Sequence, residues 1–212
     1  MNEDIKKHYQ QLFAQHGDSP DAVQYSDRIT QFKRFEVLSQ VAHKLNSVVD
    51  IGCGLGHFYE YLKEGQPDVK YLGLDFVDEF IEASKTKYAD NERTSFKQFD
   101  LTKDVIPAGY DYVVLSGVFN NKSSNNKEFM LNGINSMFNA CTKGIAFNAM
   151  STYVDFQADN LYYTDPLEIF DYCKRNLSRK VTLRHDYLVK ENSIPFEYCI
   201  YVYKCLSNLH QP

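Results

Sequence analysis

The stretch Asp50-Ile51-Gly52-Cys53-Gly54-Leu55-Gly56 restricts the fold of this chain more than any other. It follows the β-branched run SVV and leads into an amphipathic segment at 57–63, so a buried strand hands over to a helix through three glycines. Glycine takes positive φ at little cost and lets a ligand approach the backbone closely. The helix behind it offers the unpaired N–H groups of its first turn. On the C-terminal side the alternation continues. VKYLGLD (69–75), TSFKQFD (94–100), YDYVVLSG (110–117) and KGIAFNAM (143–150) read as strands, with helices at 77–87 and 129–141. Such alternation demands a mostly parallel sheet covered on both faces.

A further helix at 165–176 starts with Asp165 as N-cap and Pro166 behind it. KVTLRHDYLV (180–189) and PFEYCIYVYK (195–204) close the chain as an antiparallel pair, which puts an antiparallel strand at a sheet edge. The expected fold is therefore α/β: a Rossmann-like three-layer sandwich with a seven-stranded, mostly parallel sheet and one antiparallel strand near the C-terminus. Ahead of it, Ile5, Tyr9, Leu12 and Phe13 have helical spacing until HGDSP (16–20) breaks the pattern. A second helix is expected at 27–44, with Ile29, Phe32, Phe35, Leu38, Val41 and Ala42 on one side. Residues 1–45 thus form a helical lid segment on a domain at 46–212. At 212 residues the two make one compact domain.

Composition narrows the function classes. The chain carries 23 Lys and Arg against 28 Asp and Glu, scattered without a basic stripe, so no nucleic-acid partner is expected. The five cysteines, Cys53, Cys141, Cys173, Cys199 and Cys205, form no CxxC and no zinc-spaced cluster. They read as reduced thiols in a cytoplasmic protein with no metal. No signal peptide and no apolar run of about 20 residues is present, so no membrane partner is expected. Sixteen Tyr and fifteen Phe without a Trp suit a core and an aromatic-walled pocket alike. The oligomeric state stays open.

The glycine loop discriminates between nucleotide-type ligands. In the dinucleotide fingerprint GxGxxG the third glycine falls where this chain has His57, and no GxxxxGK[ST] loop exists. Asp50, just ahead of the glycines, repels a pyrophosphate and suits a cationic amino group. Asp75, with Phe76 beside it, ends the second strand where a Rossmann-like fold puts a carboxylate on ribose hydroxyls. Asp100 and Leu101 end the third strand, in place either for an adenine ring or for a turn cap. Ser116 and Gly117 end the fourth, at the carboxyl edge where open α/β sheets bind ligands. Phe119 suits a sulfonium neighbour; Asn120 suits either acceptor orientation or a plain turn.

Together these residues resemble the class I S-adenosylmethionine-dependent methyltransferase family. VVDIGCGLGHF resembles its first motif, YLGLDFVDEFIEASK the second, FKQFDL the adenine-side acid and DYVVLSGVFN the fourth-strand motif. HGDSP, the RF at 34–35, STYVD (151–155), LYYTDP (161–166) and TLRHDY (182–187) are similar to a group of uncharacterised bacterial methyltransferases, a likeness that implies no substrate. The fourth-strand end departs from NPP[FY], which with the acidic charge disfavours nucleic-acid methylation. The resemblance implies S-adenosylmethionine as co-substrate, S-adenosylhomocysteine as product, and methyl transfer to an O or N atom of a small-molecule acceptor. A non-catalytic S-adenosylmethionine-binding partner subunit is the alternative. It also implies a donor site of Asp50, Gly52, Cys53, Gly54, Gly56, Asp75, Phe76, Asp100, Leu101, Ser116 and Gly117.

Tyr25 and Arg34 join that set from the lid. Tyr25 either lies over the sulfonium or simply packs, and Arg34 either forks onto the donor carboxylate or forms a surface salt bridge. Tyr153 and Asn120 are the acceptor-side candidates, with Asp155 a weaker one. His185 and Asp186 are adjacent on a strand and face opposite ways, so they make no dyad. His57 reads as a solvated or packing residue.

Overall fold

The computed structural model describes residues 3–205. Its sheet contains β1 (Ser47–Ile51), β2 (Lys70–Asp75), β3 (Thr94–Gln98), β4 (Tyr112–Leu115), β5 (Gly144–Ser151), β6 (Tyr163–Thr164), β7 (Val181–Arg184) and β8 (Glu197–Tyr203). The order across the sheet is β3-β2-β1-β4-β5-β8-β7, with β6 pairing alongside β5. β1 pairs in parallel with β2 and β4, and β2 with β3 and β4 with β5 likewise. β8 runs antiparallel to both β5 and β7.

The expected α/β sandwich is observed, with two differences. Two-residue β6 adds a short pairing to the end of β5 that alternation is too coarse to show. The antiparallel strand is not the edge: β8 is inserted between β5 and β7. The reason lies in the hairpin itself. Six of the seven β8 residues are buried, whereas the four of β7 are not, so the more apolar arm takes the doubly covered position.

Helices α3 (His57–Gly65), α4 (Asp78–Lys87), α5 (Asn126–Ala140) and α6 (Pro166–Asn176) connect the strands, after α1 (Glu3–His16) and α2 (Arg28–Ser39). Successive strand residues face opposite sides, and β1 shows the result. Val49 joins Leu72, Val113, Ile134 and Met137 under α5, while Val48 joins Tyr71, Val114, Phe58 and Phe35 under α2 and α3. A third cluster, Ala22, Leu55, Val77 and Phe80, lies beneath α1, whose Tyr9 and Phe13 rings pack edge-on against Phe80. α1 buries no residue fully. Lys6–Asp78 and Gln10–Glu79 contacts tie it to α4.

α2 stops at Ser39, short of the expected 44, and its inward face is Thr30, Gln31, Phe35, Val37 and Leu38. Ile29 is 81% exposed. Asp27 accepts from Thr30 N at 2.7 Å and fixes the start of the helix, so residues 31, 35 and 38 face inward together. Polar Gln31 thus takes the place that hydrophobicity gave to Ile29. No described helix is long and apolar enough to cross a membrane.

Candidate functional site

The sheet order reverses between β1 and β4, and their carboxyl ends open into one cavity of about 960 Å³. The loop after β1 forms its floor. Gly52 N and Cys53 N both donate to Leu74 O, at 2.7 and 3.1 Å, which pins the loop to the end of β2. Gly52 has φ +72°, and a Cβ there would stand 2.3 Å from Val118 Cγ2. Neither the backbone angle nor the space admits a side chain.

Asp75 supports the same loop from below. Its Oδ2 accepts from Gly54 N and its Oδ1 from Val77 N, each at 2.9 Å. Each carboxylate oxygen keeps a lone pair for a further donor. Burial pushes Asp75 up to about 6 although three backbone N–H bonds pull it down. Asp50 is also buried and accepts from Tyr71 OH at 2.5 Å. Burial, with the charge of Asp75 adding to it, pushes Asp50 up to about 7, and the tyrosine bond opposes. Two carboxylates of one sign in one crevice make a field that favours a cation.

A polar network closes the cavity from the lid side. Asn148 Oδ1 accepts from Gly117 N at 2.8 Å, and its Nδ2 donates to Ser116 Oγ (3.3 Å) and Glu197 Oε1 (3.4 Å). Glu197 Oε2 takes Arg34 Nε at 2.8 Å, and Oε1 takes Tyr187 OH at 3.2 Å. Tyr25 OH meets Ser116 Oγ at 3.0 Å, with the Arg34 guanidinium 5.2 Å from the Tyr25 ring centroid. Burial pushes the Tyr25 phenol up, so it stays protonated.

His57, 2% exposed, bridges the lid to α3. Its Nε2 lies 2.7 Å from Asp18 Oδ1 and its Nδ1 3.0 Å from Gln31 Nε2. Two amide oxygens at the cavity wall, Gln31 Oε1 and Asn120 Oδ1, are buried without a hydrogen-bond partner. Buried acceptors rarely stay unpaired, and both belong to residues that line the cavity.

The structure brings Tyr25, Arg34, Asp50, Gly52, Cys53, Gly54, Asp75, Phe76, Leu101, Ser116, Gly117 and Asn120 to this cavity. Other expected residues fall elsewhere. Gly56 begins α3 behind the loop, where a Cβ would meet the Tyr88 and Phe96 rings at 2.8 and 3.1 Å; it serves packing. Asp100 caps a turn, its Oδ1 accepting from Thr102 N and Oγ1 at 2.9 and 2.6 Å, while its neighbours Phe99, Leu101 and Thr102 line the cavity. Phe119 is 1% exposed and packs in the core against Phe129 and Phe147. Tyr153 is 55% exposed and lines a separate shallow cleft with His185, while Asp155 is exposed.

Arg34 forms neither a free fork nor a surface pair; its Nε and Nη1 are held by buried Glu197 and by Thr30 O. His57 is neither solvated nor simply packed. Sequence reasoning missed Gln31, Asn148 and Glu197. The signal was present in each case as a polar residue inside an apolar run: Gln31 on the α2 stripe, Asn148 in GIAFNAM, Glu197 at the head of EYCIYVY.

A sequence profile described as a methyltransferase domain matches residues 49–142. The chain is 33% identical over 154 residues to "Putative methyltransferase Rv1506c" of Mycobacterium tuberculosis (strain ATCC 25618 / H37Rv), covering 70% of this chain and 90% of that one. Among solved structures it resembles magnesium protoporphyrin IX methyltransferase (ChlM) from Synechocystis PCC 6803, with a TM-score of 0.64, 15% identity and 96% of each chain covered. It also resembles the S-adenosylmethionine-dependent methyltransferase SibL, with a TM-score of 0.65 and 14% identity over 92% of this chain. The chain spans 61% of SibL. The glycine loop, the strand-end carboxylate and these likenesses agree, and the chain belongs to the class I S-adenosylmethionine-dependent methyltransferase family.

Proposed function

We infer that the cavity holds S-adenosylmethionine and that the chain transfers its methyl group to an O or N atom of a small-molecule acceptor. The observation that carries this reading is the convergence of the Gly52–Gly54 loop, two buried carboxylates and two unpartnered amide oxygens on one crevice. When bound, the donor supplies an activated sulfonium methyl; the rest falls to the protein. Asp75 has lone pairs to take both ribose hydroxyls. Asp50 sets the negative potential for an amino-acid cation. Leu101 and Phe129 give an apolar wall for a base. Tyr25, tied to Ser116, closes the β4 end, and residues 3–45 act as a lid that excludes water. Asn120 Oδ1 accepts from the O–H or N–H of an acceptor and orients its lone pair. Methyl transfer depends chiefly on such alignment, worth about 7–11 kcal/mol.

The test is a calorimetric titration with S-adenosylhomocysteine, followed by turnover of S-adenosylmethionine against pools of hydroxylated and amino metabolites. Binding with turnover supports the reading. Binding without turnover on any pool leaves a non-catalytic partner subunit, and absence of binding removes the donor site.

Two outcomes follow from the floor of the cavity. Gly52→Val is expected to abolish S-adenosylhomocysteine binding, because a β-branched residue at positive φ shifts the loop that carries the ligand-facing amides. Wild-type affinity in that titration would show that the loop does not touch the ligand. Asp50 is raised to about 7 in the fold, against about 3.9 unfolded. Its stabilising protonated form is complete below pH 4 and lost as pH rises to 7. Asp50→Asn keeps an acceptor for Tyr71 and lacks this loss. Denaturant unfolding should find the ligand-free variant more stable by about 2–4 kcal/mol at pH 8, converging with wild type near pH 4. A difference independent of pH would contradict the assignment.

A further inference from the structure

The chain Asp18–His57–Gln31 fixes which end of a buried amide faces the cavity. Asp18 is a carboxylate; Lys87 and His57 hold it below its ordinary value against the effect of its partial burial. It therefore accepts from His57 Nε2. A neutral imidazole with its proton on Nε2 leaves Nδ1 as a lone pair, and that lone pair can only accept. The Gln31 group 3.0 Å from it must then be the amide NH2, and the amide oxygen of this cavity-lining residue is the end left without a partner.

Every charged group facing His57 bears on its protonation. Asp18 comes from the lid loop, Lys87 from α4 and Arg28 from α2; Lys87 pairs with Asp18 at 2.9 Å and with Glu60 of α3 at 3.0 Å, and Arg28 pairs with Glu60 at 3.0 Å. Burial holds the imidazole below its ordinary value, the pull of Asp18 notwithstanding, so it is neutral at pH 7.5. If His57 gains a proton on Nδ1, that atom becomes a donor. Gln31 must then turn its oxygen to His57 and present NH2 to the cavity.

We propose that Gln31 Oε1 is the recognition atom for an ammonium group in the cavity, with His57 and Asp18 as positioning residues that set, and on acidification invert, its polarity. This rests on the donor reading above, which names the group as the donor's α-ammonium. The carboxylates Asp50 and Asp75 line the same cavity and favour a cation over a neutral N–H.

The experiment compares S-adenosylhomocysteine with its analogue lacking the α-amino group, titrated into wild type and Gln31→Leu at pH 7.5 and at the lower pH where the His57 ring, followed by its NMR shifts, carries a proton. The readout is the ratio of the two affinities, which a merely structural role for Gln31 would leave unchanged. At pH 7.5 the ratio is expected to fall about tenfold in Gln31→Leu, the value of a charge-assisted hydrogen bond, while the analogue binds both proteins alike. Between pH 7.5 and the pH at which the His57 ring carries its proton, the wild-type ratio should fall more steeply than that of the variant, whose remaining slope belongs to Asp50 and Asp75. Gln31→Met replaces Gln31→Leu should the latter bind neither ligand. An equal ratio in wild type and variant at pH 7.5 overturns the recognition role. Parallel pH slopes with His57 protonated place the acid sensitivity on Asp50 and Asp75 and overturn the relay. Wild type that binds neither compound removes the donor reading itself, and this inference with it.

Discussion

Asp75→Ala is expected to weaken S-adenosylhomocysteine binding by at least about 100-fold while leaving the fold close to wild-type stability. Hydrogen bonds from two ribose hydroxyls to a charged carboxylate are worth about 1.5–3 kcal/mol each, and about 1.4 kcal/mol is tenfold in affinity. Stability feels two opposing effects. Removing the side chain leaves Gly54 N and Val77 N without their acceptor, which costs about 1–3 kcal/mol each. It also removes a buried carboxylate that burial has raised to about 6, and at pH 8 that relief is about 3 kcal/mol. The two nearly cancel, so an affinity loss in calorimetry reports the site and not unfolding. Asp75→Asn should do little better than alanine, because its NH2 end must face one of the two backbone donors. Unchanged affinity in either variant would take Asp75 out of the site.

The largest stability effect is expected at Glu197. This carboxylate is 1% exposed and Arg34 14% exposed, and their 2.8 Å pair joins the lid helix to β8. Taking one partner from a buried pair strands the other charge, at a cost of about 3–5 kcal/mol. Glu197→Ala also deprives Tyr187 OH and Asn148 Nδ2 of an acceptor. For a chain of this size thermal unfolding should drop by about 10 °C. Replacing both partners with apolar residues, Glu197→Leu with Arg34→Met, should recover at least half of the loss, since a well-packed apolar pair often matches a buried ionic one. If Glu197→Ala unfolds at the wild-type temperature, the pair does not hold the lid to the sheet.

The parts of this molecule that were legible in sequence are those whose cause is local. Strand–helix alternation follows from period, and the glycine loop from a backbone demand that only glycine meets. Asp75 and Ser116 could be placed because strand ends in a parallel sheet share one edge. Asp100 and Gly56 carry local duties that pattern could not show, for the complementary reason. A strand-end acid can satisfy its own turn, as Asp100 does with Thr102, and a loop glycine can be required by the rings of Tyr88 and Phe96 from another element. The lid contacts were out of reach because Arg34 and Glu197 stand 163 residues apart, and no period links them. Pattern alone also could not decide between Ile29 and Gln31 on α2. The helix phase set by Asp27 decided it, and placed a buried amide where an apolar side chain was expected.

Crystals grown with saturating S-adenosylhomocysteine test the central claim most directly. Density should run through the cavity from the Asp75 carboxylate, with the ribose hydroxyls upon it, past the Gly52–Gly54 loop to Ser116 and Tyr25. Well-ordered crystals that show this crevice free of the compound would contradict the account.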